Sequence, residues 1–302
     1  MHFQEVVRTA HVVFMFATAY FLLLSVSNIV WLRFGTRKPT VTTGKRVSVL
    51  VPCRDEEPNV ARCLESLLIQ TYSNYEIVVL DDQSSDQTWE ILCEYSRRHP
   101  NLIRAVRGNP PPAGWCGKTY AMQQLSEHST GDYLLFTDAD TVHSTKSLAW
   151  AVTNIESHGA DHLSGYVSQQ IASLGELVIV PVMYIMSAII MPLWLIPRSR
   201  TPALSFATGH LVMFRREAFV AVGGYRRVCD RISEDVFMAQ EVKRAGFRVI
   251  FLDLREQVRC RMYAGYRAAF SGISKNIYDS PAKRWRILTV SMMCYAAANV
   301  AE

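Results

Sequence analysis

The chain has 302 residues, 49% of them apolar and 20% charged, with 32 Lys+Arg against 27 Asp+Glu for a net charge of +5. That composition excludes a disordered chain and a bundle of membrane helices alone, while the length allows one large domain with additions or about two domains. The charge is segregated into a net +6 over residues 1–54, −6 over 55–254 and +6 over 255–286, which excludes a uniform basic surface, and no nucleic-acid partner is expected.

From Thr9 to Leu32 there is no Asp, Glu, Lys or Arg. A helix over these residues reaches roughly 36 Å, enough to span a ~30 Å hydrocarbon core with some tilt. A cleaved signal peptide fits less well, because the run is too long and no small-residue cleavage site follows it. Arg33, Arg37, Lys38, Lys45 and Arg46 crowd its C-terminal side, so the positive-inside rule puts the body in the cytoplasm behind a single-pass N-terminal anchor. Seven cysteines without a Cys-x-x-Cys spacing agree with reduced thiols there.

Beyond the anchor, buried-strand runs alternate with helical patterns, which predicts βαβ units, a mainly parallel sheet with flanking helices and an α/β fold. Strands are expected at Val47–Val51, Glu76–Leu80, Leu102–Val106, Tyr133–Phe136, near Ser164–Gln170, at Leu211–Phe214 and at Arg248–Leu252. Helices are expected over Asn59–Gln70, from a Ser84-Ser85-Asp86 cap to about Arg98, over Lys118–His128, near Lys146–Ser157, before Gly223-Gly224 and over Glu234–Ala245. Three consecutive prolines within Asn109–Gly114 mark a rigid loop.

Two further apolar stretches follow a different pattern. Leu177–Pro197 is uncharged and long enough to span, but Pro181, Pro192 and Pro197 weaken it as a straight helix. An interfacial or re-entrant segment over 174–197, a buried core helix and a true span all remain open. Ile287–Ala301 has 15 apolar or small polar residues, and 261–302 reads as a basic amphipathic and apolar membrane-associated segment, facing anionic headgroups.

Acidic clusters fall at the C-terminal ends of the predicted strands: Asp55-Glu56-Glu57, Asp81-Asp82, and Asp138 with Asp140. Ligands of open α/β sheets bind there, and carboxylates gathered in one place repel unless a cation or a donor-rich ligand joins them. Asp138-x-Asp140 has period two, so an extended backbone would point both carboxylates to one face, as hard Mg²⁺ or Mn²⁺ requires. By itself the pair is also compatible with turn or cap chemistry before Ser144.

Val49–Glu57, Val78–Asp86 and Leu134–Asp140 together closely resemble the family 2 glycosyltransferases of the GT-A fold. Ser233-Glu234-Asp235 is similar to that family's acidic acceptor-side motif, and the resemblance covers about residues 46–260. Gly114-Trp115-Cys116-Gly117-Lys118 with Ala121 is similar to a narrower membrane-associated subgroup, the ceramide glucosyltransferase-like and hopanoid- or carotenoid-linked enzymes.

The resemblance implies an inverting transfer of one sugar from a nucleotide-diphosphate sugar to a hydroxyl of a membrane lipid. Pro52 and Glu56 would shape the nucleotide pocket, Asp81 and Asp82 would meet the base or ribose, and Lys118 would face the diphosphate. Asp138 would lie near the ribose and the metal, and Asp140 would bind the metal. Asp235, with Glu234 beside it, would supply the general base, and His210 would stand on the acceptor side. Ordinary alternatives are a solvated first-turn lysine for Lys118, a helix N-terminus preference for Glu234-Asp235, and a satisfied polar histidine for His210. Arg284-Trp285 match part of a Gln-x-x-Arg-Trp motif of processive members, but Pro281 stands at the Gln position. A processive polysaccharide synthase, a polyprenyl-phosphate acceptor and a non-catalytic nucleotide-sugar-binding protein are the competing readings.

Overall fold

The computed structural model describes residues 2–263 and 265–279. The expectations for Ile287–Ala301 and Pro281–Trp285 lie outside the described residues.

The first helix, α1 (His2–Phe34), extends past both ends of the expected anchor. Val7–Phe34 within it is, among the described residues, the one stretch long and apolar enough to cross a bilayer by length and composition. The inner end of α1 is bound to the body. Asn28, 1% exposed, donates to the carbonyls of Ala188 and Met191 and accepts from the Leu193 amide. Trp31 donates to Phe251 O at 2.9 Å.

The body begins with β1 (Val47–Cys53), α2 (Val60–Leu68), β2 (Tyr75–Asp81), α3 (Thr88–Arg98), β3 (Ile103–Arg107), α4 (Gly117–Glu127) and β4 (Tyr133–Thr137). It continues through β5 (Thr141–His143), α5 (Ser147–Ser157), β6 (His162–Tyr166), β7 (Ser168–Gln169) and α6 (Leu174–Ile190). After a 3-10 turn at Leu193–Leu195 come β8 (Leu211–Arg215), α7 (Arg216–Ala221), a second 3-10 turn at Gly224–Val228, and α8 (Glu234–Arg244). The described chain closes with β9 (Val249–Asp253), β10 (Val258–Cys260) and α9 (Tyr266–Asp279).

Seven strands form one sheet in the order β3-β2-β1-β4-β8-β6-β9. Only β8 runs against its neighbours; the other pairings are parallel. Val47–Val51 and Ile77–Asp81 are buried throughout, because helices cover both faces and the strands are apolar without alternation. On one face the core gathers Leu64 and Leu67 of α2, Leu92 of α3 and Trp150 of α5. On the other, Phe136 packs edge-on to Phe214 and Tyr225 at 6.0 and 5.2 Å, above Met122 of α4 and Met238 of α8.

Three features depart from the sequence expectations. The helix after Asp81-Asp82 starts at Thr88, yet Asp86 still accepts from the Thr88 amide at 3.0 Å. The strand expected near Ser164–Gln170 is divided, β6 joining the large sheet and β7 a small sheet ordered β5-β10-β7. Strands of three residues show no readable period, so β5 and β10 were not expected from the chain.

The apolar stretch expected over Leu177–Pro197 forms the 17-residue helix α6, with Pro181 inside its first turns, and then breaks at Pro192. At about 26 Å it falls short of a ~30 Å core. Leu174, Leu177, Val178, Val182 and Ile185 are exposed, whereas Val180 and Glu176 are buried. Glu176 accepts from Arg261 and from the amides of Ala172 and Gly265, tying α6 to the approach of α9. Gly175 permits the contact, since a Cβ there would lie 2.6 Å from Cβ of Tyr266.

Two core histidines couple stability to acid. Burial pushes His143 down to about 4 and His162 down to about 3, below the ordinary value of 6.5. The unfolded chain therefore takes up these protons first, so stability is full above pH ~6.5 and is lost progressively as the pH falls toward 4 and 3. His143 lies against Thr137 and Ser147 hydroxyls at 3.0 and 3.1 Å, whereas neither ring nitrogen of His162 has a partner. His162→Leu is expected to leave the unfolding temperature near its neutral-pH value while flattening the acid limb between pH 6.5 and 4. Thermal unfolding of both proteins across that range tests this.

Candidate active site

The candidate site lies beyond the C-terminal ends of β1, β2 and β4. The loops after β1 and β2 are laced together before any ligand is considered. Asp55, at φ 54°, accepts from the amide and hydroxyl of Ser85 at 2.7 and 3.0 Å. Its own amide donates to Ser84 Oγ, the Glu56 amide to Thr88 Oγ1 and the Glu57 amide to Asp86 Oδ2. The sequence marked Ser84-Ser85-Asp86 as a helix cap and as part of the Val78–Asp86 motif; the run proves to be the matching half of this lacing as well.

Pro52 stands in β1 opposite Leu80, past Leu50, where the pairing with β4 ends. Asp81 and Asp82 are 0% and 4% exposed. Arg107 and Arg54 approach them only to 3.8 and 3.7 Å, leaving Asp81 Oδ2 and Asp82 Oδ1 buried without a hydrogen bond. Burial raises Asp82 above the usual carboxylate value against the pull of Arg54, and Asp81 adds to the rise. Two buried oxygens without donors suit a ligand with N–H or O–H groups. Glu56 accepts from Asn59 at 2.9 Å. Burial raises its carboxyl against that hydrogen bond, with Asp138 and Asp86 adding to the rise.

Asp138 and Asp140 do not sit in extended backbone as expected. They occupy the turn between β4 and β5, where the amide and hydroxyl of Thr141 both donate to Asp138 O, at 3.3 and 2.7 Å. The turn still brings the two carboxylates together. Burial, then Asp138, pushes Asp140 up to about 7, while a hydrogen bond from the Cys260 thiol of β10 works the other way. Asp140 Oδ1 is buried and unpartnered. Sequence reasoning missed Cys260, which lies 120 positions away and carries no motif.

Lys118, the second residue of α4, reaches across the site, 2.9 Å from Asp138 Oδ1 and 3.2 Å from Glu234 Oε1. Desolvation works against its charge, but Asp138 and Glu234 hold it well above the usual lysine value. It is a first-turn lysine that is ion-paired while its side chain stays 43% exposed. The start of α4 is tied to the loop before α8: the Cys116 amide donates to Cys229 O at 2.7 Å, and the buried Thr119 hydroxyl donates to the same carbonyl at 2.8 Å. Glu234 and Asp235 open α8 as acidic first-turn residues. Burial, then Glu234, pushes Asp235 up to about 7 against the opposing charge of Lys118.

Gly209, before β8, forms the floor between these groups. A Cβ built on it would lie 3.3 Å from Lys118 Nζ, 3.7 Å from Asp138 Oδ2 and 3.8 Å from Asp235 Oδ2. Residues on both sides of α6 in the chain thus share one site. His210 follows, 3% exposed, and burial lowers its ring below the usual histidine value. It is not a fully satisfied histidine: Nε2 meets Gln169 Nε2 at 3.3 Å, and Nδ1 has no partner. Gln169 also donates to the hydroxyl of Tyr184 on α6 at 2.9 Å, so a polar chain runs from the apolar helix to the site.

A divalent cation fits the Asp138–Asp140 pair by the chemistry of its oxygens and by the orphaned Asp140 Oδ1. Among the described residues no group of three or more His, Cys, Asp or Glu stands ready to hold an ion. Further oxygens would have to come from water or from a bound phosphate, the usual arrangement for Mg²⁺.

A seven-stranded sheet with one reversed strand and carboxylates after β1, β2 and β4 defines the class as a GT-A fold. Solved structures agree in fold. The mannosyltransferase PcManGT of Pyrobaculum calidifontis, solved with GDP-Man and Mn²⁺, aligns at a TM-score of 0.64 and 21% identity, over 87% of this chain and 70% of that one. Staphylococcus aureus TarS 1-349 with UDP aligns at 0.51 and 19%, over 72% and 60%. The sequence profile described as "Glycosyl transferase family 2" matches residues 48–223, and the chain belongs to that family of enzymes. It is similar to the 4,4'-diaponeurosporenoate glycosyltransferase of Staphylococcus haemolyticus at 25% identity over 252 residues, 82% of this chain and 64% of the relative's length. It is also 26% identical over 209 residues to the putative glycosyltransferase EpsE of Bacillus subtilis, 69% of this chain and 70% of that protein.

Proposed function

We propose that the protein transfers one sugar from a nucleotide-diphosphate sugar to a hydroxyl of a membrane lipid, with inversion and with the help of Mg²⁺ or Mn²⁺. The observation that carries the lipid acceptor is helix α6. Its outer face is apolar and exposed, it packs on the inner end of the membrane-length helix α1, and Tyr184 and Gln169 connect it to His210. A lipid whose headgroup enters past α6 keeps its apolar part on that face. The staphylococcal relative is named a 4,4'-diaponeurosporenoate glycosyltransferase, which supports a small-molecule acceptor other than a growing polysaccharide but not the hydroxyl itself, and a neighbour solved with GDP-Man and Mn²⁺ supports the donor and metal.

In this reading Asp81 and Asp82 accept from the base or ribose, Pro52 and Glu56 shape that pocket, and Lys118 faces the diphosphate, where an ammonium has its largest effect on leaving-group charge. Asp235 takes the proton of the acceptor hydroxyl as its oxygen bonds to the anomeric carbon and the carbon–oxygen bond to the diphosphate breaks. Asp138 and Asp140 would hold the cation, whose chemistry is to neutralise charge on the departing diphosphate. Residues 9–32 would span the membrane once, with the body on the cytoplasmic side and 174–197 resting in the cytosolic leaflet.

Membranes containing the protein, given labelled UDP-glucose, UDP-N-acetylglucosamine or GDP-mannose with Mn²⁺, are expected to place label in the organic-extractable fraction from at least one donor. Label confined to water-soluble or polymeric product would reject the lipid acceptor.

A further inference from the structure

The donors and acceptors along Tyr184, Gln169 and His210 can be counted. The Gln169 amide nitrogen donates to the Tyr184 hydroxyl oxygen at 2.9 Å, which leaves the single phenolic proton of Tyr184 for Val167 O at 3.4 Å. That nitrogen also lies 3.3 Å from His210 Nε2. An amide NH₂ has no lone pair to offer, so Nε2 accepts and bears no proton. The neutral ring then carries its one proton on Nδ1.

That N–H is buried and unpartnered, in a side chain next to Gly209, where Lys118, Asp138 and Asp235 converge. A buried donor without an acceptor is costly, and folded proteins rarely retain one without a use. Lys118 already supplies a cation to this site. A neutral donor beside it meets uncharged oxygens, hydroxyl or ring ether, without adding positive charge.

We infer that Gln169 and Tyr184 hold His210 as the Nδ1–H tautomer, and that this N–H donates to an uncharged oxygen of the transferred sugar or of the acceptor hydroxyl. Helix α6 thereby presets a specificity contact inside the site, with Gln169 and Tyr184 as positioning residues. The ligand half of the inference rests on the function proposed above; the tautomer does not.

Two measurements test it on the full chain in lipid nanodiscs. Nitrogen-15 histidine spectra, with His210 assigned by its loss in His210→Asn, are expected to show an unprotonated Nε2, and Gln169→Leu is expected to abolish that preference. A protonated Nε2 in the wild type would overturn the inference.

Binding is then compared for UDP-glucose, UDP-N-acetylglucosamine and GDP-mannose, each against its free diphosphate, and KM is measured with a total lipid extract as acceptor. His210→Gln and Gln169→Leu are expected to weaken the sugar nucleotide about tenfold or more with the free diphosphate unchanged, which assigns the oxygen to the sugar. The same rise confined to the KM for lipid assigns it to the acceptor. His210→Asn, whose amide nitrogen takes the place of Nδ1–H, is expected to stay within about threefold. No change in either quantity means that Nδ1–H meets water alone and overturns the inference. A wild-type protein that bound no sugar nucleotide would reject the proposed function and the ligand assignment, leaving the tautomer to the spectra.

Discussion

Asp235→Asn is expected to reduce sugar transfer by roughly 10²–10⁴-fold, the range for loss of a positioned general base, while binding of the sugar nucleotide changes little. The substitution keeps the shape and removes the proton acceptor. Asp235 is suited to the role because burial and Glu234 push its carboxyl up to about 7, close to the pH at which a base must both accept and release a proton. It acts only when deprotonated, so with Mn²⁺ kept saturating at each pH kcat/KM is expected to rise with pH and level off above about 7. Asp235→Asn should erase that limb together with the activity. Retained transfer would favour a polyprenyl phosphate acceptor, already ionised and in no need of a base.

Asp140→Ala is expected to abolish transfer and to weaken Mn²⁺ binding by more than the ~10–100-fold typical of losing a supporting hydrogen bond alone. The basis is local: Asp140 Oδ1 is buried without a partner, beside Asp138 and under the Cys260 thiol. Its raised value means that an ion must displace a proton near neutral pH, so Mn²⁺ affinity should fall as the pH drops below about 7. Electron paramagnetic resonance of Mn²⁺, titrated with and without GDP-mannose or UDP-N-acetylglucosamine, measures this independently of turnover. Unchanged Mn²⁺ binding in Asp140→Ala would remove Asp140 from the cation site.

Most of the sheet could be read from the chain because its strands are apolar without interruption and end in acidic or turn residues. Leu134–Phe136 followed by Thr137-Asp138 is readable for that reason. The conformation of Asp138-x-Asp140 was not, since a period of two is shared by a strand and by the Thr141-closed turn that forms instead. Gly209 and Cys260 were invisible as site residues: one acts by lacking a side chain where Lys118, Asp138 and Asp235 converge, the other by contact with a residue 120 positions away. Leu177–Pro197 was open among three readings because apolarity has no direction until one face is covered. Contact with α1 and with Arg261 and Gly265 decides which face remains exposed.

The net charge of +5 is the remainder of larger opposing blocks, and the chain alone determines those blocks, the long apolar run and the placement of acids after strands. Each depends on residue type and near neighbours. Tertiary structure decided which acids become chemically distinct. Asp140 and Asp235 are ordinary carboxylates in the unfolded chain, and both rise to about 7 once the fold removes their water and sets Asp138 and Glu234 beside them. Desolvation and charge proximity fall steeply with distance in space, not along the sequence.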